Sequence, residues 1–188
     1  HGMKAFEAAR SGIQLVPEDR RIIQGLSVEE NLALAQVAPG AGWDLDRIYG
    51  HFPRLAERRR QEGTTLSGGE QQRAQLGRVL AQLRPAAGCY LLLDEPLAAL
   101  DLRFRVRLLA LLKRLLHRGV GIVLSIHELD TLHDLDAEVH LLHTGSVLET
   151  AHGLNQMGTE ALARAYGGPV QFETRSIPVL QGFHPAGD

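Results

Sequence analysis

Two short apolar runs with an amphipathic segment between them constrain the fold more than any other feature of this sequence. The runs are residues 89–93 and 120–126, and residues 102–118 between them place apolar side chains such as Val106 and Leu109 at helical spacing. The first run is continuous rather than alternating, which is typical of a strand buried on both faces of a parallel sheet, and the second run predicts another buried strand. A strand–helix–strand unit of this kind crosses over right-handed. The sequence therefore predicts an α/β fold with an at least partly parallel sheet.

The remaining segments predict a helical region before this unit and a hairpin after it. Residues 12–16 form a short, partly β-branched run that predicts another strand. Residues 20–85 are mainly helical in pattern, and one helical segment is expected at 46–60. Two short strands at 139–149, joined by a Thr-Gly turn, predict a closing hairpin.

Composition narrows the class of protein. The chain has 188 residues, of which 44% are hydrophobic, and a formal net charge of -2. These values fit a globular domain and disfavour a sequence-independent nucleic-acid binder. Cys89 is the only cysteine, which excludes an intrachain disulfide and a multi-cysteine zinc site. No run reaches the roughly 18 apolar residues of a membrane span, so we expect any membrane role to come through a partner.

Residues 66–72 read Leu-Ser-Gly-Gly-Glu-Gln-Gln and support two interpretations. In the first, Ser67 and Glu70 form a capping box at the start of a helix, and the glycines only allow a tight entry. In the second, the free amide groups and the positive end of the helix dipole bind an anion. Gly68 and Gly69 would then let phosphate oxygens approach the backbone. The residues alone leave both interpretations open.

An acidic pair, Asp94 and Glu95, follows the first apolar run. Ligands of open α/β sheets bind beyond the carboxyl ends of the strands, where this pair is expected. Phosphoryl transfer needs one carboxylate to hold Mg²⁺ and another to orient or deprotonate the attacking water. Asp94 fits the first role and Glu95 the second. The alternative is a buried strand that simply ends in a turn.

His127 and Asp101 are two further candidates. His127 follows the second apolar run, where it would reach a terminal phosphate or the attacking water, although a lone histidine is more often structural. Asp101 fits equally well as the N-cap of the next helix. His140 and His143 are three positions apart on a predicted strand and point to opposite faces, so we expect no zinc site there.

Taken together in this order, the motifs resemble those of the ATP-binding-cassette ATPases. Residues 66–72 match the family's signature motif, residues 91–94 its Walker B strand, and Glu95 its catalytic glutamate. Asp101 matches the D-loop and His127 the switch histidine. The resemblance implies a P-loop NTPase-type sheet with a helical subdomain and hydrolysis of ATP with Mg²⁺. It also implies a head-to-tail dimer in which each signature loop closes on the nucleotide of the other subunit.

The sequence departs from the family at two places. The phosphate-binding loop G-x-x-x-x-G-K-[ST] is absent, because neither Lys4 nor Lys113 is preceded by glycine. Glu18 stands where the family carries the Q-loop glutamine. We therefore interpret the chain as resembling an N-terminally shortened cassette, and we expect these residues alone not to hydrolyse ATP.

The resemblance also divides the chain. The expected parts are a remnant of the catalytic core (1–18), the helical subdomain with the signature motif (19–85), the core with Walker B, D-loop and switch histidine (86–150), and a C-terminal extension (151–188). Two importer subfamilies are matched. Residues 8–66 resemble the ATPases of branched-chain amino acid importers, and residues 78–172 those of haem, iron-siderophore and vitamin B12 importers.

The partners implied are a second ATPase subunit, transmembrane permease subunits and, indirectly, a periplasmic or lipoprotein solute-binding protein. The permease would hold the subunit on the cytoplasmic face of the cell membrane. One alternative is a soluble cassette ATPase of DNA repair or translation, which the net charge of -2 and the lack of a tandem cassette disfavour. The other alternative is an inert, truncated remnant. Nucleic acid is not an expected partner.

Overall fold

The computed structural model describes residues 4–17, 22–36, 42–83, 88–98, 100–127, 129 and 135–168. The regular elements are α1 (Ala5–Arg10), β1 (Ile13–Val16), α2 (Val28–Ala33), α3 (Leu45–His51), α4 (Pro53–Glu57), a 3₁₀ turn (Gly63–Thr65), α5 (Gly68–Gln82), β2 (Tyr90–Leu93), α6 (Leu102–His117), β3 (Gly121–Leu124), β4 (Glu138–His143), β5 (Ser146–His152), a second 3₁₀ turn (Leu154–Gln156) and α7 (Thr159–Tyr166). The chain forms two compact units, residues 1–127 and 128–188. The four-part division expected from the motifs stays a prediction.

A three-stranded parallel sheet lies in the first unit. Its strand order is β1-β2-β3, so β2 is central. Ile13 of β1 is in register with Tyr90 of β2, and Tyr90 is in register with Gly121 of β3. Helix α6 connects β2 to β3, and both strand pairs are parallel. The predicted strand–helix–strand unit and parallel sheet are therefore confirmed.

The sheet buries one face and exposes the other, which corrects the prediction of strands buried on both faces. The buried side chains on one face are Gln14, Val16, Leu91 and Leu93. The exposed side chains on the opposite face are Leu15, Tyr90 and Val123, each 50–59% exposed. A continuous apolar run predicts double burial only when other elements cover both faces. The described part of the chain covers one.

The region before β2 is helical, as predicted, but the segment at 46–60 contains two short helices rather than one. Helix α3 ends at His51, and α4 begins at Pro53. Phe52 between them has φ -125° and ψ 67°, outside the helical region. Proline disfavours helical geometry at the residue before it and lacks an amide donor, so Pro53 ends the first helix and starts the second.

Helix α5 is the packing centre of the helical region. The segment before α3 lies against its carboxyl end, where the Trp43 amide donates to the Leu80 carbonyl at 3.1 Å. Gly42 approaches so closely that a Cβ atom there would overlap the Ala81 carbonyl. Side chains from α2, α3 and α4 complete this core. Those fully buried include Val28, Leu32, Ile48 and Leu55.

The second unit contains the predicted hairpin. Strands β4 and β5 pair antiparallel around Thr144 and Gly145. These two residues have φ values of 45° and 78°, the left-handed pair that a two-residue hairpin turn requires. A small core lies beside the hairpin, formed by Leu154, Met157 and Leu162. Within the described ranges, no helix combines the length and apolar character needed to cross a bilayer.

Candidate functional site

Strands β2 and β3 end side by side, and the residues that follow them meet. Leu93 is in register with Leu124, so Asp94 and Ser125 continue neighbouring strands. The Ser125 hydroxyl donates to Asp94 Oδ1 at 2.6 Å, and it accepts from the Glu95 amide at 2.9 Å. Ser125 was not predicted from the sequence. Its signal in the sequence is that it is a polar residue near the end of the apolar run 120–126, two positions before His127.

Glu95 and His127 form the second contact at this edge. The His127 Nε2 atom lies within ion-pairing distance of Glu95 Oε1. The Glu95 side chain is only 16% exposed, whereas that of His127 is 78% exposed. Asp94, Glu95 and His127 therefore lie together at this edge of the sheet, as predicted, and the exposed side of His127 faces solvent.

The backbone of Glu95 adopts a left-handed conformation, with φ 45°. Such a conformation is unfavourable for a residue with a Cβ atom and persists only where surrounding contacts hold it. Three hydrogen bonds do so. Its amide donates to Ser125, and its carbonyl accepts from the Gln72 side chain and from the Ala98 amide, both at 3.2 Å.

Gln72 links the helix of the glycine-rich motif to this edge. Its side-chain amide donates to the carbonyls of Glu95 and Pro96 at 3.2 Å each. Three positions further along α5, the side-chain amide of Gln75 donates to the carbonyl of Pro17, the residue directly after β1. One face of α5 therefore contacts the loops that follow β1 and β2, which fixes the helix against the carboxyl edge of the sheet.

The amino end of α5 contains the predicted capping box. The amide and the hydroxyl of Ser67 donate to Glu70 Oε2 at 2.9 and 2.7 Å, and Arg58 Nε lies 2.9 Å from Glu70 Oε1. Burial raises the pKa of Glu70, but the Ser67 hydrogen bonds and the Arg58 charge outweigh it, so the net pKa is lowered. Among the hydrogen bonds of the described residues, none uses the amides of Gly68 and Gly69. The cap therefore leaves donors available for an anion.

Asp101 lies at the start of α6. Its Oδ1 accepts from the Phe104 amide at 2.8 Å, which is the capping interaction that the sequence offered as one interpretation. Its other oxygen lies 3.7 Å from Arg73 Nη1 of α5. Arg73 in turn stacks over the Phe104 ring, with 5.0 Å between guanidinium carbon and ring centroid.

The candidate residues therefore lie in three groups, and helix α5 contains one of them and contacts the other two. Asp94, Glu95 and His127 meet at the sheet edge, Ser67 to Glu70 form the helix start, and Asp101 caps α6. Glu18 lies outside the described residues.

The edge also provides oxygen ligands. The Asp94 carboxylate and the Ser125 hydroxyl are hard donors of the kind that Mg²⁺ prefers. Within the described ranges no three His, Cys, Asp or Glu residues form a metal cage. Mg²⁺ needs none, because it is held by one or two carboxylates together with substrate phosphates and water. The residues present therefore fit Mg²⁺ bound with a nucleotide.

The ABC transporter family model matches residues 2–98, more than half of the chain. The chain belongs to the ABC transporter ATPase family. This ABC ATPase is 31% identical to the high-affinity branched-chain amino acid transport ATP-binding protein BraG of Pseudomonas aeruginosa, over 89% of the chain and 71% of BraG. It is 40% identical to the hemin import ATP-binding protein HmuV of Deinococcus radiodurans, over 55% of the chain and 40% of HmuV.

Other relatives give the same family with partial coverage. An ABC transporter ATP-binding protein of Azorhizobium caulinodans is 33% identical over 78% of the chain. The chain spans about half the length of such curated relatives, 52% of this one.

Solved structures confirm the predicted fold. The ABC ATPase superimposes on the ATP-binding subunit of an ABC transporter with a TM-score of 0.63 and 25% identity, covering 84% of the chain and 63% of that subunit. A metal-chelate-type ABC transporter in an inward-facing conformation gives a TM-score of 0.61 at 22% identity, again over 84% of the chain and over 64% of its own. At that identity the second likeness shows the fold alone.

Proposed function

We propose that this ABC ATPase is the nucleotide-binding subunit of an importer and couples ATP hydrolysis to solute uptake. The observation that carries this proposal is the convergence of Asp94, Glu95 and His127 at the carboxyl edge of a parallel sheet, fixed by Ser125. Phosphoryl transfer requires carboxylates and a hydrogen-bonding group in that place and at that spacing.

Each residue at the edge has a role in the proposal. Glu95 orients or deprotonates the attacking water, and its left-handed backbone holds the carboxylate toward the edge. His127 contacts the terminal phosphate through its exposed side. Asp94 holds Mg²⁺, directly or through water. When bound, Mg²⁺ neutralises the charge that develops on the phosphoryl oxygens.

The glycine-rich motif serves a second nucleotide in the proposal. Ser67, Gly68 and Gly69 offer hydroxyl and amide donors at the positive end of α5 to the phosphates held by another subunit. Glu70 holds Ser67 in place and is itself held by Arg58. Asp101 contributes at the same dimer interface, and Glu18 senses the permease from the Q-loop position.

The partners in this proposal are a second ATPase subunit, arranged head to tail, and transmembrane permease subunits. A solute-binding protein delivers the cargo to the permease from outside. The helical region around α2 to α4 contacts the permease, which places the ATPase on the cytoplasmic face of the membrane. The cargo is a haem-type metal chelate or a branched-chain amino acid, since BraG aligns over most of the chain while HmuV has the higher identity.

These 188 residues by themselves should release phosphate from Mg-ATP only at background rate, because the β- and γ-phosphates find no phosphate loop and no lysine beside it. Mixing tests the glycine-rich motif directly. HmuV of Deinococcus radiodurans, disabled in its own signature serine, is combined with the chain, and phosphate release is followed.

We expect turnover to return on mixing and to be lost with Ser67→Arg in the chain. Ser146→Arg is the matched control and should retain turnover, because Ser146 is an exposed serine at the start of β5. Turnover by the chain alone that disappears in Glu95→Gln would overturn the proposed inactivity. Mixtures that never exceed background would overturn the proposed role of Ser67.

A second experiment addresses the cargo and the transport role. Detergent-solubilised permeases of a hemin importer and of a branched-chain amino acid importer are immobilised, and retention of the chain is compared. Selective retention by one permease identifies the cargo class. Retention by neither permease, together with binding to DNA or ribosomes, would replace the transport proposal with the non-transport alternative.

A further inference from the structure

A small cavity with three arginines in its wall lies in the first unit, between the start of α3 and the last turns of α6. Its volume is about 70 Å³. Arg47, Arg114 and Arg118 line it, together with Trp43 and His51. None of these residues belongs to the nucleotide site proposed above.

The charges in the wall are not balanced by acids. Of the described residues that line the cavity, none is a carboxylate, and its apolar floor consists of Leu111 and Leu115. The nearby Asp44 uses its Oδ1 to accept from the Arg47 amide at 2.8 Å, as the N-cap of α3. Burial and then the charge of Arg118 lower the pKa of Arg47, and Asp44 opposes them only in part. The cavity therefore has a positive field.

His51 responds to the same field. Its Nδ1 lies 3.1 Å from the Arg47 carbonyl, and its Nε2 lies 3.4 Å from Arg114 Nη2. A carbonyl requires a donor, so Nδ1 carries the proton and Nε2 accepts from the guanidinium. Burial lowers the pKa of His51, the hydrogen bond to the Arg47 carbonyl opposes this in part, and the charges of Arg114 and Arg47 lower the pKa further, so that the net pKa is lowered. His51 is thus a neutral positioning group that orients Arg114.

Trp43, which lines the cavity, also carries a buried polar group. Its Nε1 atom has no hydrogen-bond acceptor among the described residues, and the residue as a whole is only 3% exposed. A buried donor of this kind costs on the order of 1–3 kcal/mol unless a ligand or water satisfies it. Arg47 stacks over the indole ring at 4.1 Å and orders both side chains.

We propose that this cavity is a binding site for a phosphate group, held by Arg47, Arg114 and Arg118. Three guanidinium groups offer paired donors that match the oxygens of a doubly charged tetrahedral anion better than those of a single carboxylate. A volume of about 70 Å³ is far below the roughly 300 Å³ of a drug-sized ligand site, so the cavity fits a phosphate group better than a whole drug-sized molecule. The phosphate is either the free ion or a monoester group on a larger molecule.

The single tryptophan provides the assay, because Trp43 is the only one in the chain. The indole N–H signal of the ¹⁵N-labelled 188-residue chain is followed by NMR while phosphate is added, with sodium chloride holding the ionic strength constant. Inorganic phosphate, glycerol 3-phosphate and acetate are titrated separately. We expect saturable movement of the indole signal with both phosphates and weaker binding of acetate. Tighter binding of one phosphate than the other tells the free ion from the ester.

Variants on α6 decide whether the site is specific. Arg114→Gln removes one charge-assisted donor and should weaken phosphate binding about tenfold or more. Arg107→Gln removes the same charge from the same helix at a position that does not line the cavity and should change phosphate binding less than about twofold, although Arg107 and Arg114 are both exposed. Arg118→Gln replaces the first variant if circular dichroism shows that Arg114→Gln does not fold.

Three results would overturn the proposal. The first is no saturable change of the indole signal up to about 50 mM phosphate. The second is equal weakening by Arg107→Gln and Arg114→Gln, which would show a general charge effect. The third is tighter binding of acetate than of either phosphate.

Discussion

Replacing Glu70 by alanine tests how the start of the glycine-rich helix is held. The carboxylate is buried, with the residue 7% exposed, and it accepts from the amide and hydroxyl of Ser67 while pairing with Arg58 at 2.9 Å. In Glu70→Ala these three donors lose their acceptor. Ser67 is exposed and its groups regain water, so the full value of two hydrogen bonds to a charged group is not lost.

The expected cost follows from two contributions. Loss of the cap interaction costs roughly 1 kcal/mol. Loss of the ion pair costs about another 1 kcal/mol, since its carboxylate is buried but Arg58 is 39% exposed. We therefore expect the free energy of unfolding to fall by about 2 kcal/mol. Urea unfolding followed by Trp43 fluorescence measures this, because Trp43 reports on the first unit alone.

The effect should depend on pH. The pKa of Glu70 in the folded chain lies below its ordinary value of 4.5, so the unfolded chain binds its proton first. The stabilisation is thus complete above that ordinary value and is lost as the pH falls through the lower folded pKa. The difference between the native chain and Glu70→Ala should shrink accordingly in acid.

Glu57→Ala is the matched control. Glu57 pairs with Arg54 at 3.4 Å, but both side chains are at least 60% exposed, so its loss should cost less than about 0.5 kcal/mol. Equal costs for the two variants, or a difference between the native chain and Glu70→Ala that is unchanged in acid, would refute the reasoning.

Three further predictions concern stability. Gly42→Ala should lower the free energy of unfolding in urea by about 3 kcal/mol, because the new Cβ overlaps the Ala81 carbonyl. Gly50→Ala has open space around its Cβ and should raise that free energy by about 0.5 kcal/mol through α3. Similar values for the two variants would contradict the packing at Gly42. Asp101→Ala should cost about 1 kcal/mol through loss of the α6 cap, and Asp101→Asn should recover most of it in the same assay. Val123→Thr should change the free energy of unfolding by less than about 0.5 kcal/mol and reduce light scattering at high concentration, since Val123 is 59% exposed; a cost above ~1.5 kcal/mol would mean that this face is covered.

Element ends with a specific chemical signal were predictable from the sequence. Ser27 followed three positions later by Glu30 is the sequence signal of a capping box, and the Glu30 amide donates to the Ser27 hydroxyl at 3.2 Å. Gly119 ends α6 with φ 82°, and Gly145 in the hairpin turn has φ 78°, values that glycine adopts readily. In each case the signal is local, because the residue type decides which hydrogen bonds or φ values are available.

Features that depend on tertiary cover were not predictable. The apolar run at 120–126 contains only a four-residue strand, Gly121–Leu124, and Val123 on it is exposed. Whether an apolar side chain is buried depends on what packs against it, which a run of hydrophobic residues does not encode. Pro53 was visible in the sequence, but the helical periodicity around it outweighed its effect in the prediction.

The candidate site was predictable in its acidic and histidine members and not in its support. Asp94 and Glu95 directly follow β2, and His127 lies three positions after β3, so the parallel pairing of these strands brings the three residues to one edge of the sheet. Ser125 and Gln72 act through hydrogen bonds to a loop whose path follows from the left-handed φ of Glu95. A left-handed φ is predictable where glycine or asparagine stands, but the residue here is a glutamate, so the sequence gives no signal for this conformation.

The register of the sheet also sets the order in which the first unit can form. Tyr90 of β2 pairs with Gly121 of β3, which is 31 positions later in the chain. Ile13 of β1 pairs with Tyr90, which is 77 positions later. At about 5–20 residues per second of synthesis, β1 emerges several seconds before its partner exists. The contacts among α2 to α5 span fewer positions than the pairing of β1 with β2, and contacts of low sequence separation form fastest. We therefore expect the helical region between β1 and β2 to fold early. Its folding brings these two strands together, and β1 then completes the sheet.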